Sequence, residues 1–264
     1  MKDFFGFGGY SRPAEGFLSW QHLLFVALLL GIMTVLAVYF GRKNRDATPT
    51  KKNAVMIAAA LLIDGLELFK IVLLCLRSNS AEPILYNLPF FLCSIQLIAI
   101  PLAAFSKNRT KDAALDFVCI FGILGAVFGT IGAGQNYNAY PVLSFDNVVS
   151  GLTHAISGFA SLYIMFAKMA SMKRENICIC YCILFAFCIA AYVANILIPY
   201  NYMFLMAGDG TPYDILYNLV SGNRVLYPLG IVALFLIYIS FFYYLVYIFR
   251  RKNKTKTGNI CTAA

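Results

Sequence analysis

Apolar positions along this chain come in continuous runs, and short polar stretches separate them. Seven runs are near 20 residues, the length at which an α-helix crosses the hydrocarbon core of a bilayer. They cover residues 18–40, 54–76, 88–105, 113–131, 148–168, 177–198 and 225–249. The stretches between them are polar or rich in Gly, Pro and Asn, residues that punctuate helices. Continuous runs exclude a β-barrel, whose strands alternate apolar and polar positions. The pattern predicts an all-α membrane protein, a polytopic bundle of about seven transmembrane helices. It divides the chain into an extracellular segment 1–17, a helical domain 18–249 and a basic cytoplasmic tail 250–264. The first 18 residues hold Gly6, Gly8, Gly9 and Pro13 and no basic stretch leading into an apolar core, so no cleavable signal is expected. No internal repeat is visible, which gives no support to an inverted-repeat transporter.

Composition agrees with the pattern. Hydrophobic residues make up 61% of the 264 residues and charged residues only 12%, against about 25% charged in a soluble domain. The net charge is +9. In a soluble protein that excess points to nucleic acid, but here it sits in short loops where it sets orientation. Arg42, Lys43, Arg45, Lys51 and Lys52 follow the first run; Lys107, Arg109 and Lys111 follow the third. Lys168, Lys173 and Arg174 follow the fifth, and Arg250, Arg251, Lys252, Lys254 and Lys256 the last. The other side has only Lys2, Arg12, Arg77 and Arg224. The alternation predicts an outside N-terminus, a cytoplasmic C-terminus, a multi-pass location in the cell membrane and no nucleic-acid partner.

Polar residues inside the runs gather at one depth. At about 1.5 Å of rise per residue, Cys93 lies roughly 8 Å and His154 roughly 9 Å below the outer ends of their runs. Asp64, Glu67 and Lys70 climb from mid-membrane into the outer half, and their spacing of three places them near one helix face. Asn195 nears the outer end of the sixth run, Asn201 and Tyr202 sit just beyond it, and His22 lies at the outer end of the first. Ionisable groups are costly in lipid, so they face a cavity or one another. Asp64, Glu67 and Lys70 are either an internal ladder that fixes helix packing or part of a substrate pocket. His154 alone reads as an interhelical hydrogen bond or as a base.

Cys93 alone reads as a small apolar filler. Seven other cysteines, Cys75, Cys119, Cys178, Cys180, Cys182, Cys188 and Cys261, are scattered through the runs and the tail. The alternating Cys178, Cys180 and Cys182 point in different directions on a helix and have no nearby His, so no metal site is expected. Two features set Cys93 apart. In NLPFFLCSIQ, residues 87–96, Asn87 reads as an N-cap with Pro89 in the first turn. That places the thiol near a helix N-terminus, which favours thiolate. It also shares a depth with a His on another run, and a thiol within reach of a base is a competent nucleophile.

Three short blocks then carry a resemblance. They are LPFFLCS at 88–94; YP at 140–141 followed by GLTH at 151–154; and NYMFL at 201–205 with YPLG at 227–230. In order and spacing the chain resembles the YwaF-type integral membrane proteins, the family that includes the vertebrate acyltransferase called transmembrane protein 164. The resemblance implies a seven-span fold with its signature polar groups facing a membrane cavity. The vertebrate member looks like a Cys/His transacylase acting on ether phospholipids, and the resemblance puts Cys93 at its nucleophile and His154 at its partner. Asn201 and Tyr202 match a family motif of unassigned role. Phe91 departs from the pattern: many members carry a histidine there, two residues before the cysteine.

The expected function is that of an integral membrane lipid acyltransferase, or a lipid hydrolase where water is the acceptor. Cys93 and His154 are the expected catalytic pair. Glu67, Lys70, Asn87, Asn201 and Tyr202 are the expected substrate-binding residues, and Asn87 or backbone amides of the capped turn are the expected oxyanion donors. Membrane phospholipids are the expected partners, with no soluble cofactor and no metal. The rival classes are a transporter or small-ligand-binding protein built on Asp64, Glu67 and Lys70, and a structural membrane subunit without chemistry. Gly125, Gly129, Gly132 and Gly134 read as packing and turn residues.

Overall fold

A computed structural model describes residues 3–261, with side chains for residues 3–250. Ten α-helices occur among the described residues, in order α1 Trp20–Lys43, α2 Pro49–Ser78, α3 Glu82–Tyr86, α4 Gln96–Phe105, α5 Asn108–Ile131, α6 Gly134–Ala139, α7 Phe145–Phe166, α8 Ile177–Leu197, α9 Asp214–Leu219 and α10 Leu226–Cys261. No strand occurs among the described residues. The caps follow from the sequence. The Ser19 side chain accepts from the His22 amide, Thr48 from the Lys51 amide with Pro49 opening α2, and Ser144 from the Asn147 amide. Each satisfies an amide that the first turn leaves without a helical partner. The expected tail continues α10 as helix to Cys261. Cys261 and the side chains of Arg251, Lys252, Lys254 and Lys256 lie outside the described side chains, as Lys2 and residues 262–264 lie outside the described residues.

Five helical segments among the described residues are long and apolar enough to cross a membrane: Trp20–Lys43, Asn108–Ala139, Phe145–Phe166, Arg174–Leu197 and Leu226–Arg250. The other two expected runs differ from them for visible reasons. Helix α2 has 30 residues, about 45 Å at the helical rise, but its middle carries Asp64, Glu67 and Lys70. The third run is not one helix. Only Gln96–Phe105 is helical, and Pro101 lies inside it. Residues 87–95 are turns and bends. An apolar run fixes solvent preference and not backbone shape. Here Pro89 and the local hydrogen bonds of Ser94 hold the chain out of a helix.

The chain divides into two compact units, residues 1–170 and 171–264. In the first, α7 packs on α5, α1 and α2, while α4 packs on α2 and α5. Helix α5 is the most enclosed, with Phe117, Val118, Ile120 and Phe121 fully buried. Lipid tails are as apolar as these side chains, so close backbone packing and interhelical hydrogen bonds hold the helices together. Both are present. The hydroxyl of Ser161 donates to the Cys119 carbonyl at 2.6 Å and that of Ser157 to the Gly122 carbonyl at 3.3 Å, stitching α7 to α5. A Cβ on Gly122 would stand 2.7 Å from the Ser157 carbonyl oxygen, so only glycine lets the two backbones come this close.

The N-terminal segment is fastened to one end of this unit. Arg77 makes a two-point pair with Asp146, at 2.7 and 2.9 Å, and the Tyr10 hydroxyl donates to the same carboxylate. The Phe145 amide donates to the Phe4 carbonyl at 3.0 Å, and the Val142 amide to Glu15 at 2.7 Å. His22 is buried, accepts from the Leu18 amide through Nδ1 and so donates through Nε2 to the Thr130 carbonyl. In the second unit α8 packs on α10 through Cys180–Tyr243 and Tyr181–Ser240 hydrogen bonds of 3.3 and 2.6 Å, and α9 packs on α10.

Candidate functional site

The segment carrying Cys93 is a turn tied by its own residues. The Ser94 hydroxyl accepts from the Phe91 amide at 3.0 Å and lies 3.2 Å from the Phe91 carbonyl. The Ile95 amide closes back on that same carbonyl at 2.9 Å. The N-cap expected at Asn87 is not there. Asn87 ends α3, its side-chain amide donating to the Pro83 carbonyl at 2.8 Å. Asn87 caps the end of α3 instead of the start of a helix, and Pro89 lies in the non-helical stretch that follows. The helix that follows Cys93 is α4, three residues on, and the Cys93 carbonyl takes the Gln96 amide at 3.5 Å. The thiol therefore stands just ahead of a helix N-terminus, on a turn.

One face of α5 brings this turn and α7 together. A Cβ on Gly125 would touch the Cys93 Cα and Cβ at 3.4 and 3.5 Å, and the Ser157 hydroxyl at 3.8 Å. A Cβ on Gly129 would stand 2.6 Å from Nε2 of His154 and closer still to its Cε1 and Nδ1. The imidazole therefore lies directly on the Gly129 backbone. Gly125 and Gly129 are one turn apart on the same face, about 5–6 Å between side-chain positions. The Cys93 backbone and the His154 ring thus occupy successive turns of a smooth glycine floor. Both residues are half-buried. Neither is hydrogen-bonded to the other.

Charge enters from α2. Lys70 and Glu67 form an ion pair at 2.5 Å, with side chains 17% and 12% exposed. Helix α2 packs on α7, which carries His154, and on α4, which follows Cys93. Two polar groups nearby in the chain have no partner. Oδ1 of Asp64, one turn before the ion pair, is buried without a hydrogen bond. So are both amide atoms of Gln96, a fully buried side chain one turn after Cys93. A buried amide with neither end paired costs stability that an apolar side chain of the same shape would not.

Four of the expected residues, Cys93, His154, Glu67 and Lys70, are therefore gathered in the first unit. Asn87 is spent on α3. Asn201 and Tyr202 belong to the second unit and organise their own loop. Asn201 donates to the Ala207 carbonyl and to Asp209, both at 2.7 Å, and accepts from the Met206 amide at 2.8 Å. Asn195 clamps Tyr202 at both its carbonyl and its amide, at 3.0 and 2.7 Å. Gly125 and Gly129 pack, as expected, but what packs on them is the candidate pair. Ser157 and Gln96 were not singled out in the sequence, although a glutamine in an apolar run is a visible signal. No group of His, Cys, Asp and Glu that could hold a metal occurs among the described residues. Cys180 is buried while Cys178 and Cys182 are exposed; these two are four apart and share one helix face, so only Cys180 points a different way.

Comparison with curated proteins finds no match, and comparison with solved structures finds none. The sequence profile of the TMEM164 family matches residues 17–247, nearly the whole helical region. This chain is a membrane protein of the TMEM164 family.

Proposed function

We propose that this protein transfers acyl groups between membrane lipids through a thioester on Cys93, with His154 as base. The observation that carries the reading is the placement of the Cys93 backbone and the His154 imidazole on successive turns of one α5 face. His154 takes the thiol proton, and the thiolate attacks an ester carbonyl of a phospholipid. The tetrahedral intermediate collapses, and His154 returns the proton to the departing lyso-lipid oxygen. A second lipid hydroxyl then gives its proton to His154 and attacks the thioester, which regenerates the thiol. With water in that place the same site is a lipase. Gln96, whose amide has no protein partner, and the amides of the Cys93 turn are donors for the oxyanion. The Lys70–Glu67 pair offers a cation to a lipid phosphate.

The reading includes α2 and the third apolar run among the spans, giving seven, with the N-terminus outside and the C-terminus cytoplasmic in the cell membrane. It keeps Asn201 and Tyr202 as shapers of a loop. A second reading, a proton or solute path, is favoured by the buried carboxylate oxygen of Asp64 that has no partner. Purified protein in lipid, given a phospholipid donor and a lyso-lipid acceptor, separates the two. Cys93→Ala and His154→Ala each abolish transfer, and the double variant is no worse than either, as for residues acting as one unit. Full transfer in Cys93→Ala ends the thioester reading. Proton-coupled flux that survives Cys93→Ala and is lost in Asp64→Asn establishes the other.

A further inference from the structure

Two lysines at the basic end of the first unit are held by protein acceptors. Lys52 donates to the Ala167 carbonyl at 2.8 Å, and Lys111 to Asn53 at 2.7 Å. Lys43 and Lys51 are not. Their ammonium groups make no ion pair or hydrogen bond among the described residues, and Lys43 only overlies the Tyr39 ring at 5.5 Å. Both line the mouth of a half-enclosed groove of about 700 Å³ between α1 and α2, floored by α7. Beyond the mouth the lining is almost wholly apolar. Leu36 stands on one wall and Ala58 on the other, over Ala155 and Phe159. The floor residues lie on a different face of α7 from His154 and Ser157, so this is not the Cys93 site.

The groove has the dimensions of one lipid leaflet. From Lys51 to Leu62 on α2 the helical rise gives about 16 Å, and half a hydrocarbon core is about 15 Å. Small residues on α2, Ala54, Ala58 and Ala59, hollow the wall to the width of a chain. The α2 N-terminus adds the positive end of a 30-residue helix beside Lys51. We propose that this groove binds one anionic phospholipid, with its phosphate against Lys43 and Lys51 and one acyl chain lying along α2 toward Leu62. An acyl chain alone is satisfied by any lipid. The two unpartnered cations select one carrying net negative charge.

Native mass spectrometry of the full chain from zwitterionic micelles, titrated with dioleoylphosphatidylglycerol or dioleoylphosphatidylcholine, tests this. One phosphatidylglycerol should be retained in preference to phosphatidylcholine. In the Lys43→Gln, Lys51→Gln double variant its affinity should fall roughly thirtyfold, from about one unit of surface electrostatic attraction per lysine, while phosphatidylcholine binding is unchanged. Ala58→Trp, at an exposed position, fills the groove, keeps both lysines and should lose the same lipid. Equal retention of the two lipids, or unchanged phosphatidylglycerol binding in either variant, overturns the proposal. So does equal protection from thermal unfolding by glycerol 3-phosphate, which has the headgroup charge and no chain. Melting in phosphatidylcholine micelles alone should be the same for the variants and the parent, which separates lost binding from lost fold.

Discussion

Two acidic side chains of the first unit meet opposite fates. Asp146 has both oxygens engaged, by Arg77 at two points and by Tyr10. Asp64 has a buried oxygen with no donor to it, and neither end of the Gln96 amide has a partner. The first group fastens the N-terminal segment. Arg77 also reaches the Phe5 carbonyl at 3.3 Å, so breaking the pair frees several elements together. The second group gains nothing for the fold, because an unpaired buried polar atom is a cost. A satisfied network fastens the N-terminal segment, while unsatisfied atoms sit on α2 at Asp64 and at the start of α4 at Gln96, and also at Ser106, Asn147 and Tyr227.

The contrast can be pressed by substitution. The largest effect is expected at the glycine floor. Gly129→Ala puts a methyl group where the His154 ring lies, so the imidazole must shift. A displacement of about 1 Å costs about a hundredfold in rate. Lipid transfer by the reconstituted variant should fall accordingly, while Gly134→Ala, where the nearest atom is 3.4 Å away in the Phe17 ring, should change it little. Next comes Arg77→Met. The pair's side chains are 18% and 10% exposed, so the loss should be about 2 kcal/mol, below that of a fully buried pair. The double variant with Asp146→Leu should unfold later on heating than Arg77→Met alone, because the second change removes the stranded carboxylate. Purely additive losses would show that the two are not coupled.

Gln96→Leu has the opposite signature. It removes two unpaired polar atoms, so its melting temperature should match or exceed that of the parent. If the amide serves the oxyanion, transfer should fall by about tenfold or more. A loss of stability at this position would mean that the amide supports the fold. The smallest effect belongs to Tyr10→Phe, about 1.5 kcal/mol, the low end for a hydrogen bond to a carboxylate, because Tyr10 is only half-buried. Burial and the Asp146 hydrogen bond raise the Tyr10 hydroxyl from 10.0 to about 12. A raised folded value means that the contribution is full below pH 10 and is lost as the pH climbs through about 12. Parent and Tyr10→Phe melting temperatures should therefore converge over that window and stay apart below it.

Long apolar helices were legible because their runs leave one choice in lipid. The third run was not. Its residues are as apolar as the others, and the turn around Cys93 comes from Pro89 and from Ser94 bonding to Phe91, interactions that a hydropathy pattern does not register. The nearness of the Cys93 backbone and the His154 ring to one face of α5 was legible from the residues themselves only as a common depth. Depth fixes a height and leaves the azimuth open, and the azimuth is set by Gly125 and Gly129, whose spacing of four was readable without what they receive. The Glu67–Lys70 pair was legible because both residues lie on one helix face. Arg77–Asp146 joins residues 69 positions apart and left no local trace. Asn201 and Tyr202 were selected by resemblance; the Asn201 side chain folds the 201–209 loop, and the Tyr202 backbone is held by Asn195.

Mass spectrometry of the purified chain after incubation with a phospholipid donor and no acceptor tests the central claim most directly. Thioester chemistry predicts an acyl group on the peptide carrying Cys93, released by neutral hydroxylamine and absent in His154→Ala. Donor turned over without any acyl adduct at Cys93, or an adduct carried by another cysteine while Cys93→Ala remains active, would contradict it.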